Sequence, residues 1–446
     1  MPQNVTASQQ PQTTHRGVLD NGIVVIAVEN SAADIIASRI FIRAGSQWEP
    51  REKAGLSHLL SSVITKGTEN LSSLEIAERI ESVGANLSAD ASTDYFLLSL
   101  KTVSSDWPEM LQLAGEILRS PSFPEAEVEL ERHLTIQDIR SQKEQPFTIA
   151  FEQLRQAMYQ DHPYALSVLG TEATVSSLSR VDLEQYHKTY FRPDNIVISL
   201  AGRVKPEDAF EQIERVFGDW RPTETPLKTP QLPLIISQPC PVRTPQETQQ
   251  SIVMLGYLAS PVHDADYAAL KLLNTYLGNG LSSRLFVELR EKRGLAYDVS
   301  AFYPTRQSAS TFVVYIGTAP ENTETALLGL HTEVKRLCSD LLSTDELQSA
   351  KNKLLGQYAL GKQTNAQLAQ VYGWYETLGL GIEFDTQFQQ DVTSVTPEMA
   401  QEVAQRYFIE PYVSLVGPAE AIQGLVAPRP DARRPIFKLG LFDDER

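Results

Sequence analysis

Seven prolines fall within one stretch of the chain: Pro222, Pro226, Pro230, Pro233, Pro239, Pro241 and Pro245. Each lacks an amide donor and has a fixed φ, so the stretch is expected to lie outside sheet and helix interiors. It divides the 446 residues into near-equal halves, each long enough to bury a core of its own. The expected organisation is a flexible tail over 1–14, an N-terminal domain over 15–221, a proline-rich linker over 222–247, a C-terminal domain over 248–430, and a tail over 431–446.

The halves echo one another. In the first, a helix runs into Tyr190-Phe191 and then into the apolar run Ile198-Ser199-Leu200-Ala201-Gly202. In the second, a helix runs into Arg406-Tyr407-Phe408 and then Val413-Ser414-Leu415-Val416-Gly417. Both are helix–turn–strand units closing their half. Runs of strand-like segments beside runs of helix-like segments predict an α+β fold, with an antiparallel sheet in each half covered by helices.

The first half can be read in order. Val18 to Val28 predicts a hairpin turning at Asn21-Gly22. Ile35 to Ala44 predicts a second β segment. Ser72 and Glu75 form a capping-box pair, and Leu74, Ala77, Ile80 and Val83 recur at helical spacing before Gly84. Asn86–Ala89 and Tyr95–Leu100 predict an antiparallel pair. Asp106 is placed to cap a helix with Pro108 in its first turn. Long helices are predicted over 125–143 and 146–159.

With 42% hydrophobic and 21% charged residues, the chain belongs among globular proteins. A net charge of −17 argues against nucleic acid and suits a cationic peptide as substrate or partner. No apolar run approaches the ~20 residues that span a bilayer, so no membrane partner is expected. The polar start, Met1 to Thr14, has neither the apolar core of a secretory signal nor an Arg-rich amphipathic pattern. Cys240 and Cys338 are too few for a disulfide framework or a thiolate zinc site. Reduced thiols in the cytoplasm are the expectation.

The most specific stretch is Ala54-Gly55-Leu56-Ser57-His58-Leu59-Leu60-Ser61-Ser62, preceded by Arg43-Ala44-Gly45-Ser46 and followed by Lys66-Gly67-Thr68. It predicts a helix ending near Gly67, with positions 58 and 62 four apart on one face. Zinc helices place two His ligands at that spacing, with a Glu beside them as base. Here only His58 has that chemistry, and Ser61 and Ser62 take the other two positions. The frame resembles the pitrilysin/insulinase family of zinc peptidases, most of all its processing-peptidase branch, from about Gly17 to Leu425. That family carries His-x-x-Glu-His, an inverted zincin motif, between the same flanks.

The resemblance implies two related domains facing each other as a clamshell. It places the third zinc ligand at Asp138, seven beyond Glu131, where the family has Glu. The inherited set is then His58, Ser62 and Asp138, with Ser61 where the base belongs, and no zinc or other cofactor is expected in this chain. In the second half, Leu277–Phe286 and Glu288–Tyr297 match the family's second-domain signature. By that match, Arg290 and Tyr297 bind the substrate backbone, and Arg293 is a bystander. Gly278-Asn279-Gly280 stands where a noncatalytic processing subunit carries a long glycine-rich loop. Asn86–Ala89 matches a cleft-edge strand to which substrates add by backbone pairing.

The expected role is a noncatalytic subunit that brings half a chamber and the Arg290/Tyr297 pair to a zinc-bearing homologous partner, in a heterodimer or as a homodimer, acting on peptides. The alternative is a structural or peptide-holding protein like the family members found as respiratory-complex core subunits. A Ser/His hydrolase built on His58, Ser61 and Ser62 stands third, because no Gly-x-Ser-x-Gly elbow surrounds them.

Overall fold

A computed structural model describes residues 14–227 and 231–425. Pro230, positions 1–13 of the expected first tail and the tail at 431–446 lie outside the described residues. Thr14, counted with that first tail, opens a strand.

Two sheets organise the halves. The first holds β1 (Thr14–Val18), β2 (Val24–Glu29), β3 (Ile35–Ile42), β4 (Asn86–Ala91), β5 (Phe96–Val103) and β6 (Ile196–Gly202), in the order β1-β2-β6-β3-β5-β4. The second holds β7 (Pro241–Pro245), β8 (Ser251–Ala259), β9 (Asp298–Phe302), β10 (Ser310–Thr318) and β11 (Tyr412–Gly417), in the order β7-β11-β8-β10-β9. Apart from the extra edge strand β1, the orders match strand for strand. The echoed units end in β6 and β11, which take the same place in their sheets.

Two expectations need correction. The sheets are mixed: β2 pairs parallel with β6, and β7 pairs parallel with β11, while the other pairs are antiparallel. The reason is connectivity, since the last strand of each half returns between two early ones, β6 between β2 and β3 and β11 between β7 and β8. The proline-rich stretch also ends in a strand. β7 tolerates Pro241 and Pro245 because it lies at an edge, where a missing donor need break no ladder.

Local signals act as expected elsewhere. β1 and β2 form the hairpin, and the buried Asn21 amide donates to the Phe217 and Trp220 carbonyls at 2.7 and 3.1 Å. Ser72 and Glu75 close a full capping box on the helix Ser73–Ser82. Asp106 differs. It occupies the N-cap position of the helix Trp107–Arg119 with near-helical dihedrals, and its side chain makes no cap bond.

One face of the first sheet packs on the helices Leu56–Val63, Trp107–Arg119, Arg180–Tyr190 and Pro206–Phe217, around Ile40, Leu98, Leu111 and Ile198. One face of the second packs on Tyr267–Gly278, Thr323–Ser339 and Pro397–Tyr407, around Leu255, Leu273, Val314 and Leu415. The other faces are covered by exchange. The helix Asn365–Thr377 of the second half lies across β2, β3 and β6, and the helix Pro146–Tyr159 of the first lies across β8 and β11. With both faces covered, the central strands read as unbroken buried runs: β6, β8 and β11 have no exposed residue.

Polar contacts fix the exchange. The Arg16 guanidinium donates twice to the Glu376 carboxylate at 2.8 and 2.7 Å, and the Asn365 amide donates to the Ile35 carbonyl at 2.9 Å. On the other side, Gln153 donates to the Ser414 hydroxyl at 2.7 Å. The β4–β5 and β9–β10 connections also meet. The Tyr164 hydroxyl donates to Asp94 at 2.5 Å, and Arg306 stands 3.8 Å from the same carboxylate. The halves thus form two lobes joined through both exchanged helices.

Candidate functional site

The motif helix begins just after two short 3-10 turns, Ser46–Trp48 and Arg51–Lys53, that follow β3. Gly55 adopts φ 98° there, a left-handed conformation suited to glycine. The orphan amides of the first turn are met by Glu49, whose carboxylate accepts from the Gly55 and Ser57 amides at 2.9 and 2.5 Å. Glu49 is only 8% exposed. Burial pushes its carboxyl up to about 7, against the opposing hydrogen bonds from Ser57, Gly55 and Leu56. This buried cap was not singled out in the sequence. A Glu six residues before a glycine carries no distinctive signal.

The helix runs over Leu56–Val63 and stops short of Gly67. Leu56, Leu59, Leu60 and Val63 are buried against the sheet, which leaves His58 and Ser62 half-buried on the other side. The Ser61 and Ser62 hydroxyls both donate to the His58 carbonyl, at 2.7 and 3.2 Å. They bond back onto the preceding turn, not onto the imidazole, as Ser does in plain helices. Burial holds the His58 ring below its ordinary pKa, while the carboxylates of Asp138, Glu131 and Asp90 pull it upward.

Across from this helix lies Glu125–Gln142. Glu131 is half-buried and pairs with the Lys66 ammonium at 3.1 Å. Asp138 is exposed on the same helix. Zinc does not fit this set. One imidazole, two hydroxyls turned to backbone and an exposed carboxylate do not make three ligands and a base. Among the described residues, no three His, Cys, Asp or Glu side chains come together as a metal-holding group. The hydroxyl geometry also removes the Ser/His arrangement, since neither serine addresses the ring.

The second half offers a different surface. Arg290 lies in a π-helical turn over Phe286–Glu291, a wide turn often met at functional sites. Its guanidinium stacks 4.9 Å from the centre of the Phe286 ring. Arg290 is exposed, and Tyr297, just before β9, is 64% exposed while its backbone amide donates to the Gly317 carbonyl at 2.9 Å. Phe286 went unremarked in the sequence, although Phe four before Arg is a readable signal for such stacking. Gly278-Asn279-Gly280 is pinned: the Asn279 side chain donates to Gln357 at 2.7 Å, and Lys353 donates to the Asn279 carbonyl.

Comparison with known proteins is consistent along the chain. Residues 24–172 match the family model described as Insulinase (Peptidase family M16), and residues 177–354 match the one described as Peptidase M16 inactive domain. Together the two matches take in well over half the chain. An uncharacterized zinc protease of Bacillus subtilis is 27% identical over 91% of this chain and 98% of its own length. A similarly named protein of Streptomyces coelicolor is 26% identical over 91% and 90%. Among solved structures, the fold is similar to that of a peptidase M16 inactive domain from Pseudomonas fluorescens, with a TM-score of 0.83, 24% identity and coverage of 91% and 98%. A protease from Helicobacter pylori gives 0.84, 22% identity and coverage of 91% and 99%. No helix among the described residues is long and apolar enough to cross a membrane.

Proposed function

Because this chain belongs to the pitrilysin/insulinase (M16) family of peptidases, we propose that it is the noncatalytic subunit of a divided zinc peptidase. A second, homologous chain with an intact His-x-x-Glu-His supplies the zinc and the base. This chain supplies the facing half of the chamber. Cys240 and Cys338 are not joined in a disulfide, which suits a reducing compartment such as the cytoplasm.

The observation that carries the reading is the exposed Arg290, its guanidinium held over the Phe286 ring, together with an exposed Tyr297 seven residues on. A guanidinium fork and a phenol are donors suited to a peptide carbonyl or to the oxyanion that forms when water attacks it. β4 is terminal in its sheet, so among the described residues no strand pairs with its outer edge, where an extended peptide would add. These groups bind, align and polarise. None of them generates a nucleophile, so turnover depends on the partner's metal.

The test is peptidase activity of the purified chain mixed with a zinc-bearing relative encoded in the same genome. Activity should appear on mixing and be absent from this chain alone. Arg290→Ala with Tyr297→Phe should lower it by ~10² or more, since each such donor is worth about 10²–10³-fold. Equal rates for wild-type and doubly substituted chains would leave this chain as scaffold, the role of a core subunit.

A further inference from the structure

The turn that carries Arg290 rests on one buried acid. Glu333, in the helix Thr323–Ser339, has a fully buried side chain. Its Oε2 accepts from Arg284 Nε at 2.8 Å, two residues before the π-helical turn begins. Its Oε1 has no hydrogen-bond donor, and Arg293 Nη2, two residues after the turn ends, stands 3.7 Å from it. One carboxylate therefore addresses both ends of the turn. Arg284 is further tied to Tyr276 and to the Glu346 carboxylate, at 3.4 and 3.7 Å. The middle of the turn is seated one helical turn away. A Cβ on Gly329 would stand 2.8 Å from Leu289 Cδ2, so the missing side chain is the notch that Leu289 fills.

Leu289 points in and Arg290 follows it pointing out. With the turn fixed at both ends and in the middle, the direction of Arg290 is set from beneath. A carboxylate buried between two arginines is costly to desolvate, and removing its charge leaves two cations without their shared partner. We propose that Glu333 is the positioning residue of Arg290: by clasping Arg284 and Arg293 it holds the guanidinium on the Phe286 ring with its donors presented to a peptide carbonyl. The clause about the peptide rests on the function proposed above, and the clasp itself does not.

The experiment separates the two. In the full-length chain with labelled arginines, the Arg290 side-chain protons, identified by their loss in Arg290→Lys, carry an upfield ring-current shift from Phe286. Glu333→Gln should erase that shift, and Glu333→Asp should restore part of it. Arg293→Gln, a surface change that keeps the chain folded should Glu333→Gln not fold, should move the shift in the same direction. An unchanged Arg290 resonance in folded Glu333→Gln, or in Arg293→Gln, overturns the clasp. Affinity for a fluorescein-labelled, unstructured lysine-rich peptide should fall about tenfold in Glu333→Gln, as expected for losing one charge-assisted hydrogen bond. Peptide affinity that is unchanged in Arg290→Ala rejects the peptide-binding reading while leaving the ring-current result standing.

Discussion

The helix Leu56–Val63 and the turn Phe286–Glu291 occupy comparable places. Each lies on the path from an inner strand, β3 or β8, to an edge strand, β4 or β9, in sheets of matching order. They are held in opposite ways. The first is closed on itself, with a buried Glu49 at its start and two hydroxyls bonded to its own backbone. The second is anchored by a buried acid below and presents a cation above. The lesson is that a repeated architecture does not keep its chemistry evenly. The half that would hold metal has turned its polar groups inward, and the half that would hold peptide still points them out.

The largest contrast expected between the halves is in acid. His187 lies in the first of the two echoed helices, and burial lowers its pKa to about 4, although the bond to the Leu118 carbonyl acts against this. Aligning Tyr190-Phe191 with Tyr407-Phe408 puts the buried Ala404 at the same place in the second half. The unfolded imidazole takes its proton near its ordinary pKa of 6.5, and the folded one resists until about 4. Taken alone, the His187 imidazole should therefore lower the stability of the first half as pH drops through that window, by on the order of 3 kcal/mol. Glu49 works in the other direction: with a raised folded pKa, its contribution is complete below 4.5 and fades as pH rises through about 7. In the wild type the two windows overlap and the opposed contributions largely cancel. In Glu49→Gln, hydrogen exchange resolved by segment should show the first sheet opening before the second at pH 4–5, and adding His187→Phe should abolish that order.

A smaller difference is expected where the exchanged helices cross the sheets. Gly373 in the helix Asn365–Thr377 leaves room for the Phe41 ring, which a Cβ would meet at 2.4 Å, with the Ser199 Cβ at 2.8 Å. On the other crossing the glycine is on the strand. A Cβ on Gly256 would meet the Met158 sulfur at 2.8 Å and the Leu154 methyls at 3.0 and 3.1 Å. A packed ring and a strand Cβ cannot move aside, whereas a thioether and leucine methyls can. Gly373→Ala should cost about 2 kcal/mol and Gly256→Ala less than about 1 kcal/mol, measured by denaturant unfolding. Equal costs would mean that the two crossings are equally rigid.

Much of this framework can be read from the residues. The Asn21-Gly22 hairpin, the Ser72/Glu75 box, the apolar runs of β6 and β11 and the degenerate motif are local signals with local causes. The exchange of helices is not local. Pro146–Tyr159 and Asn365–Thr377 are each gripped on more than one side, so their apolar residues do not form a single stripe that names a partner. The parallel strand pairs depend on which strand returns to which gap, and no spacing encodes that. Glu333 escaped notice because a Glu in a long charged helix looks like surface until its side chain is found buried. Arg293 looked incidental for the same reason, being half of a clasp whose other half is distant in sequence.

The smallest effects should be the same in both halves. Ser72 and Ser343 each close a capping box with a Glu three residues on. Ser72→Ala and Ser343→Ala should each cost about 1 kcal/mol, and a large difference in their thermal shifts would show that one lobe depends more on its helices than the other.

Zinc content per chain, after purification without chelator, tests most directly whether the first half has lost its metal chemistry. The account predicts far less than one zinc in the wild-type protein, because its serines are tied to backbone and Asp138 is exposed. Ser61→Glu, Ser62→His and Asp138→Glu together should raise the content toward one, since positions 58 and 62 already share a helix face. One tightly held zinc in the unaltered chain, lost on His58→Ala, would contradict the account.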